Sequence, residues 1–415
     1  MKTLMLLGGS QCQLSAAKAV KAMGHRLVLA DYLPDPPALR LCDAHARVST
    51  FDAPACIAAA REHQVDGVFT VGTDQPVYTA ARVAEALGLP SPISADTALR
   101  ATNKRAMKQA FALGGVPALP YAFLSPGQSA DTLAALPPPL VLKPLDSQGQ
   151  RGIFRVANAA EAVRRLPETL SYSREQAALV EPFYPSEEVT FSGYLHNGRL
   201  YPLTLTDRQL LSDPTHIGVC AAHRYPSKHA RLMPQIEAIA AQVAGALHAA
   251  QGPLYIQLLI GDRGIVVNEA ALRVGGAFED AFIPLVSGFD LLGAVIRLAL
   301  GEAVPPPETR PAAGAWQVSV QMLFCRPATV AGMTPLPEVL SLPGVLTAGY
   351  NYGVGDAVPQ RTNATARFGH CVLVSDRGDM PALVQNLYRA LRVWDAQGNP
   401  MLLPRTFDGA EECHA

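Results

Sequence analysis

Lys143 ends an apolar, strand-like run at residues 140–142 and is followed by Pro144 and the polar stretch DSQGQRG at 146–152. An unpaired ammonium at the end of a buried strand is costly, so it demands an anion. A phosphate loop of the Gly-x4-Gly-Lys-Ser/Thr kind puts its lysine after the glycines, at the start of a helix. Here the lysine comes first. Other charged residues recur at the ends of elements. Lys104 opens a helical stretch, Glu181 ends an apolar run at 177–180, and Glu188 starts the next strand. Glu269 follows GIVVN at 264–268, with Arg273 just beyond. Two lysines can neutralise phosphate oxygens, and a strand carboxylate can hold Mg²⁺, which takes one or two carboxylates plus phosphate oxygens rather than an all-protein cage. Gly149 and Gly152 let a loop fold over phosphates with its N–H groups inward. The set reads as a site for a magnesium-bound triphosphate, with Lys143 on the phosphate chain and residues 146–152 as a lid.

The elements that must position these groups begin with alternating strands and helices. Residues 3–9 read as a strand, 13–24 as a helix closed by Gly24, 26–31 as the second strand, 54–64 as a helix, 66–72 as the third strand and 78–88 as a helix with Gly88 past its end. Continuous apolar strands alternating with helices imply an open, mostly parallel sheet. Ligands bind such sheets at the carboxyl ends of the strands, here Gly8–Gly9–Ser10, Asp31 and Gly72–Thr73–Asp74. GGSQCQ at 8–13 lacks the third glycine of a dinucleotide fingerprint, so a tight turn is the expectation there. Residues 102–115 form a helix capped near Thr102 or Asn103 and closed by Gly114. Strands follow at 140–144, 177–183, 188–198 and 199–207, with a helix at 159–166 and a two-residue turn at Asn197–Gly198. Then come a helix at 233–250, a hairpin at 252–270 turning at GDRG, and a helix at 289–302. The proline cluster at 303–311 marks a boundary near 305. Beyond it lie strands at 316–324 and 370–376 and a helix at 380–394.

Composition narrows the classes. The chain has 415 residues, enough for two or three cores, with 49% hydrophobic residues and a net charge of −1, so no basic footprint for nucleic acid is present. No apolar run approaches a membrane span, and the short apolar N-terminal stretch is read as a first strand rather than a signal peptide. The seven cysteines are scattered without a C-x-x-C pair, which fits reduced thiols in a cytoplasm. The ten histidines show no metal-ligand spacing.

In order and spacing, residues 1–300 resemble the ATP-grasp enzymes. The carrying motifs are TNKRAMKQAF with Lys104, LVLKP with Lys143, DSQGQRGI with Ser147, Gln148, Gly149 and Gly152, LVEPF with Glu181, Pro182 and Phe183, EEVTF with Glu188, and YIQLLIGDRGIVVNEAALRVGG with Gln257, Leu259, Asn268, Glu269 and Arg273. The resemblance implies an α/β fold. A Rossmann-like parallel sheet would occupy 1–97 and a two-subdomain ATP-grasp domain 98–305, with its lid subdomain at about 115–178; a strand-rich α+β domain would occupy 306–415. It implies ATP and one or two Mg²⁺ ions, for which Mn²⁺ can substitute. Lys104 would contact the α-phosphate, and Lys143 the α/β-phosphates and adenine N7. Glu181 would accept from the adenine amino group, and the Phe183 backbone would meet the ring. Leu259 would lie under the adenine and Glu188 on the ribose. Gln257 and Glu269 would be the metal ligands, and Arg273 would hold the γ-phosphate or an acyl-phosphate. Lys143, Glu269 and Arg273 are the expected catalytic residues. Arg208, His223, Arg224, Arg273, Gly275 and Gly276 are candidates for holding substrate.

Two residues depart from the family pattern. Gln257 stands where a carboxylate is usual, which should weaken one metal site, and Ala271 stands where Asn is usual, as in the aminoimidazole ribonucleotide carboxylase branch. The favoured expectation is a cytoplasmic carboxylate–amine ligase of the L-amino-acid-ligase kind, working through an acyl-phosphate. It would act on a small-molecule carboxylate and amine, without nucleic-acid or membrane partners, as a homodimer. The alternatives are a carboxylase acting on bicarbonate and an ATP-binding protein without ligase activity.

Overall fold

The computed structural model describes residues 1–211, 217–308, 316–376 and 378–404. The first sheet is parallel, with strands β1 (Thr3–Leu7), β2 (Arg26–Ala30), β3 (Ala44–Ala46) and β4 (Gly67–Phe69) in the order β3-β2-β1-β4. The sequence suggests only three strands here. β3 is three residues long, Ala-His-Ala, too short to show a period, and it makes residues 67–69 the fourth strand. Helices α1 (Leu14–Ala22), α2 (Ala53–Glu62) and α3 (Gln75–Leu87) lie between and after the strands. Gly24 and Gly88 take φ of +76° and +64° just past α1 and α3, the left-handed conformation that stops a helix.

Two helices, α4 (Ala95–Thr102) and α5 (Lys104–Leu113), lead out of this sheet. Asn103 caps α5, its Oδ1 accepting from the N–H groups of Arg105 and Ala106 at 2.9 and 3.1 Å. α4 was not expected from the sequence. Next comes a small antiparallel sheet of β5 (Ala122–Leu124), β6 (Leu140–Pro144), β7 (Phe154–Val156) and β8 (Ala178–Pro182), in the order β5-β8-β6-β7, covered by α6 (Ala159–Leu170). It has its own core, in which Leu142, Ala162 and Val180 are wholly buried.

The large sheet holds eight antiparallel strands. β9 (Glu187–His196), β10 (Arg199–Leu210), β11 (Cys220–Tyr225), β12 (Gly252–Gly261), β13 (Gly264–Ala271) and β14 (Gln317–Leu323) are joined by strands Gly369–Ser375 and Val345–Tyr350, in the order β13-β12-β9-β10-β11-β14-(369–375)-(345–350). Asn197 and Gly198 turn β9 into β10 with φ of +50° and +78°, the positive pair that a two-residue hairpin requires. The proline cluster near residue 305 separates stretches of chain but not sheets, because β14 pairs with β11. Helices α7 (Met233–Leu247), α8 (Glu279–Ser287) and α9 (Leu291–Ala299) pack on this framework. Among the described residues no single helix is long and apolar enough to cross a membrane.

Removing the α5 cap should destabilise the protein measurably. Asn103→Ala is expected to lower unfolding free energy by about 0.5–2 kcal/mol in a denaturant titration, whereas Asn103→Ser, which keeps an acceptor without setting a second carboxylate beside Glu175, should lose less.

Candidate functional site

A cluster of buried charges forms where α5, β6, β8 and β13 come together. Glu181 on β8 is 1% exposed. One of its oxygens lies 2.5 Å from Lys108 Nζ of α5 and the other 2.6 Å from Lys143 Nζ of β6. Lys143 also donates to Asn268 Oδ1 on β13 at 2.9 Å. Burial alone would push the Glu181 carboxyl up, but the two ammonium charges and their hydrogen bonds outweigh it and hold the pKa down at about 2. Lys108 is 2% exposed, and burial pulls its pKa down against the attraction of Glu181. The sequence reading missed Lys108. Its position one helical turn after Lys104 was the available signal, since i and i+4 share a helix face. Both Glu181 oxygens are thus engaged, and an adenine amino group would have to share one of them with an ammonium. The N–H of Phe183 donates to the Pro139 carbonyl at 2.7 Å, and its ring sits under the Arg155 guanidinium at 4.1 Å. The backbone donor expected to meet the ring is therefore already used in the small sheet. Pro182 pairs with Leu140 at the end of β8, and Leu259 is buried on β12 opposite Glu188.

Next to this cluster, Lys104, Ser147, Gln148, Asp74, Tyr255, Glu269 and Arg273 line one narrow cleft. Lys104 Nζ donates to the Ser147 carbonyl at 3.0 Å, tying the first lysine to the glycine-containing loop. The Ser147 hydroxyl is shielded from solvent and has no hydrogen-bond partner. Gly149 and Gly152 hold φ of +69° and +72°. At Gly152 a Cβ would also sit 2.8 Å from the Tyr172 ring, so glycine is required twice over. The loop lies closed on two neighbours. Gln148 Oε1 accepts from Asp74 N–H at 2.7 Å, and the Gly149 carbonyl accepts from Ala364 N–H at 3.0 Å.

β12 and β13 face Gln257 against Glu269 directly across the hairpin, with a register shift just after Gln257. Twelve residues of sequence separation thus become cross-strand adjacency, as the metal-ligand reading requires. Gln257 Nε2 donates to Glu188 Oε2 at 2.5 Å, and Arg208 Nε donates to the same oxygen at 3.0 Å. Arg208 reaches Tyr255 OH at 3.2 Å as well. Arg273 is held by Asp74 through Nε at 2.8 Å and Nη2 at 2.5 Å, and its guanidinium lies 4.7 Å from the Tyr255 ring centre. Asp74 was named only as a strand-end position on the ligand side of the first sheet, and Tyr255 was not named at all. Asp74 stands beyond the end of β4, and Tyr255 is two residues before Gln257 on the same face of β12, so strand alternation could have found it.

A cavity of about 550 Å³ opens from this point between the three sheets. Gln257, Glu269, Arg208, Arg273, His223 and Gly276 contribute to its wall, together with the turns 8–13 and 72–74 of the first sheet and Ala364, Thr365 and Arg367 from the C-terminal part. Asp31 also reaches it, but its two oxygens accept from Gly9 N–H at 2.8 Å and Leu33 N–H at 2.9 Å, so this acid holds the tight turn. His223 is 1% exposed and its Nδ1 lies 3.1 Å from Thr206 Oγ1. Burial, with Arg208 and Arg367 adding to it, holds its pKa well below the ordinary value, so the ring is neutral. Arg224 is a correction. Strand alternation turns it away from His223, and it lines a separate depression with Asp207, Lys228 and His229. Gly275 and Gly276 serve close packing: a Cβ on Gly275 would meet the Glu279 carboxylate, and one on Gly276 would meet the Gly72 carbonyl at 2.6 Å.

The residues present fit a magnesium-bound triphosphate. An unpartnered buried hydroxyl at Ser147, the Lys104 ammonium beside it and the Glu269 carboxylate share one cleft. One carboxylate with a neighbouring amide oxygen matches the sparse protein ligation that Mg²⁺ accepts beside phosphates.

No protein-family model matches the sequence, and no curated protein resembles it significantly. Solved structures do resemble it in fold. The L-amino acid ligase from Bacillus licheniformis matches with a TM-score of 0.79 and 18% identity over 95% of this chain and 99% of that one. The biotin carboxylase domain dimer of the Hydrogenobacter thermophilus 2-oxoglutarate carboxylase, in complex with MgADP, ADP and bicarbonate, matches with a TM-score of 0.75 and 14% identity over 96% and 91%. The N5-carboxyaminoimidazole ribonucleotide synthetase from Thermus thermophilus matches with a TM-score of 0.70 and 21% identity over 93% and 97%. The chain has the ATP-grasp fold along almost its entire length.

The buried triad yields a pH signature. Glu181→Gln leaves two ammonium groups without a counter-ion and should cost about 3–5 kcal/mol of stability at neutral pH. The native carboxyl titrates at about 2, below its ordinary value of 4.5, so its contribution is complete above pH 4.5 and is lost as the pH falls toward 2. Unfolding titrations of wild type and variant should therefore converge across that window.

Proposed function

We propose that the protein is an ATP-dependent carboxylate–amine ligase acting on amino-acid-like small molecules. One observation carries this reading. Lys104, the strand carboxylate Glu269 and Arg273 surround a single cleft that leads into a substrate-sized cavity, and a second lysine, Lys143, stands in the ion cluster next to it. Bound MgATP supplies the phosphoryl group that turns a carboxylate into an acyl-phosphate, from which an amine displaces phosphate.

The chain's own groups prepare that transfer. Carboxylate and triphosphate repel each other, so cations fixed in advance lower the barrier. Lys104 and Lys143 would neutralise phosphate oxygens, and the Ser147 hydroxyl would donate to one. Glu269, with the Gln257 amide oxygen, would hold Mg²⁺. Arg273, oriented by Asp74, would hold the reacting carboxylate. The loop 146–152 keeps water from an activated acyl group, and fixing the amine beside it contributes up to about 7–11 kcal/mol through effective molarity. A second reading, a carboxylase acting on bicarbonate, is favoured by Ala271 and by the fold likeness to an N5-carboxyaminoimidazole ribonucleotide synthetase.

Phosphate release should be measured with ATP and Mg²⁺ across paired amino acids and small carboxylates, with and without bicarbonate. Release that needs both a carboxylate and an amine supports the ligase; release that needs bicarbonate supports the carboxylase. No release with any mixture overturns both. Lys143→Ala should lower kcat by about 10²-fold or more while remaining folded, since Glu181 keeps Lys108. Full turnover in that variant would remove Lys143 from the phosphate site.

A further inference from the structure

Carboxylates decide where a hard divalent ion can sit. Among the described residues, four line the cleft and the cavity: Asp31, Asp74, Asp146 and Glu269. Three of them are already engaged. Asp31 accepts from the N–H groups of Gly9 and Leu33. Asp74 is paired with Arg273 at 2.5 Å. Asp146 accepts from the Ser173 hydroxyl at 2.5 Å and lies 3.3 Å from the Arg174 guanidinium. Glu269 alone has no hydrogen bond or ion pair with any described residue. Glu279 also carries an oxygen without a partner, but it is 1% exposed, packs against Gly275 and lies on neither wall.

The neighbours of Glu269 add few oxygens. Gln257, opposite it across the hairpin, offers one amide oxygen, its Nε2 donating to Glu188. Asn268 accepts from Lys143 with its side-chain oxygen, and Ala271 has none to give. Glu188 takes both Gln257 and Arg208 on one oxygen. Gln257, Glu188 and Arg208 together are therefore neutral, and they present a divalent ion with no net charge to bind. Arg208 also opposes a second ion directly. Its Nε donates to Glu188 at 3.0 Å and its Nη1 to the Tyr255 hydroxyl at 3.2 Å, which fixes the guanidinium on the same cavity wall as Gln257 and Glu269. Glu269 is among the charges that favour it. An ion shared between Glu269 and Glu188 would have to displace this guanidinium or lie against a like charge. One ion on Glu269 meets neither obstacle, because magnesium accepts a single protein carboxylate when phosphate oxygens and water complete its octahedron.

We propose that each nucleotide carries in a single divalent ion, held by Glu269 and the Gln257 amide oxygen, and that the fixed Arg208 guanidinium keeps a second one out and supplies a positive charge in its stead. The proposal rests on the MgATP site of the ligase reading. It makes Arg208 and Gln257 the residues that set how many metal ions the site takes.

The test counts Mn²⁺ by electron paramagnetic resonance on the whole protein, held in excess over AMP-PNP so that all the nucleotide is bound, with a parallel titration without nucleotide. Wild type should withdraw one Mn²⁺ per AMP-PNP, and protein without nucleotide should bind Mn²⁺ about tenfold or more weakly. Glu269→Gln should weaken uptake with nucleotide by about tenfold or more. Gln257→Glu combined with Arg208→Gln, which leaves acids at 188, 257 and 269 without a guanidinium among them, should take up a second ion. The proposal is overturned by two ions on wild type, by equal uptake without nucleotide, by full uptake in Glu269→Gln, or by a count of one on the folded double variant. Thermal unfolding reports whether that variant is folded; where it is not, the wild-type and Glu269→Gln counts decide. Absence of AMP-PNP binding in calorimetry overturns the MgATP site itself, whereas two ions with AMP-PNP bound overturn the single-ion proposal alone.

Discussion

Glu181 between Lys108 and Lys143 is the interaction on which the rest of the arrangement depends. Three ionised groups withdrawn from water are tolerable only if each finds a partner at hydrogen-bond distance. Each Glu181 oxygen takes one lysine, at 2.5 and 2.6 Å, and Lys143 uses another of its protons on Asn268. The contact ties four elements together: α5 from the end of the first unit, β6 and β8 from the small sheet, and β13 from the edge of the large one. The cluster carries one positive charge in excess. Lys104, one helical turn before Lys108, faces the adjacent cleft. The local field there is built for an anion before any ligand arrives, and preorganisation of that kind is the most effective form of electrostatic stabilisation.

The lid follows from the same economy of contacts. The small sheet has a core separate from those of its neighbours, so it can move as a body while remaining folded. Its loop touches the first sheet through Gln148 and Asp74 and the C-terminal part through Gly149 and Ala364. Each contact is a single hydrogen bond, which holds the loop closed yet costs little to release. Three regions far apart in sequence meet at this loop and the cavity beneath it. The continuous large sheet makes the meeting possible, because β14 carries the C-terminal part back alongside β11.

Much of this was legible in the sequence because the signals were local. The glycine stops after α1 and α3, the Asn197–Gly198 turn and the cap at Asn103 each depend on a few adjacent residues, and each appears where expected. Lys143, Glu181 and Glu269 stood out because charge at the end of an apolar strand is expensive in any fold, and Gln257 because the resemblance to the ATP-grasp motifs placed it opposite Glu269. What escaped notice was short or distant. β3 has three residues and no period to detect. Asp74 takes its role from Arg273, 199 positions away, and no pattern along the chain links the two, whereas Tyr255 was within reach of strand alternation from Gln257. Arg224 was misplaced for the opposite reason: adjacency to His223 suggested a shared site, whereas the pleat sends neighbours to opposite faces.

Gln257, the residue that departs from the ATP-grasp pattern, is explained by what it touches. Its Nε2 donates to Glu188 Oε2 at 2.5 Å, and Arg208 donates to the same oxygen. A carboxylate at 257 could not donate; it would set a second negative charge against Glu188, with Arg208 alone to balance both at a site where Arg208 is 7% and Glu188 12% exposed. Like charges in such surroundings raise one pKa strongly or force the groups apart. The amide avoids that conflict, keeps Arg208 paired with Glu188, and still leaves an oxygen beside Glu269 across the hairpin. Its consequence for the metal is specific: with one carboxylate rather than two on the protein side, an ion at Glu269 depends more heavily on phosphate oxygens for its ligands. In the proposed ligase, metal and nucleotide would then enter as one unit.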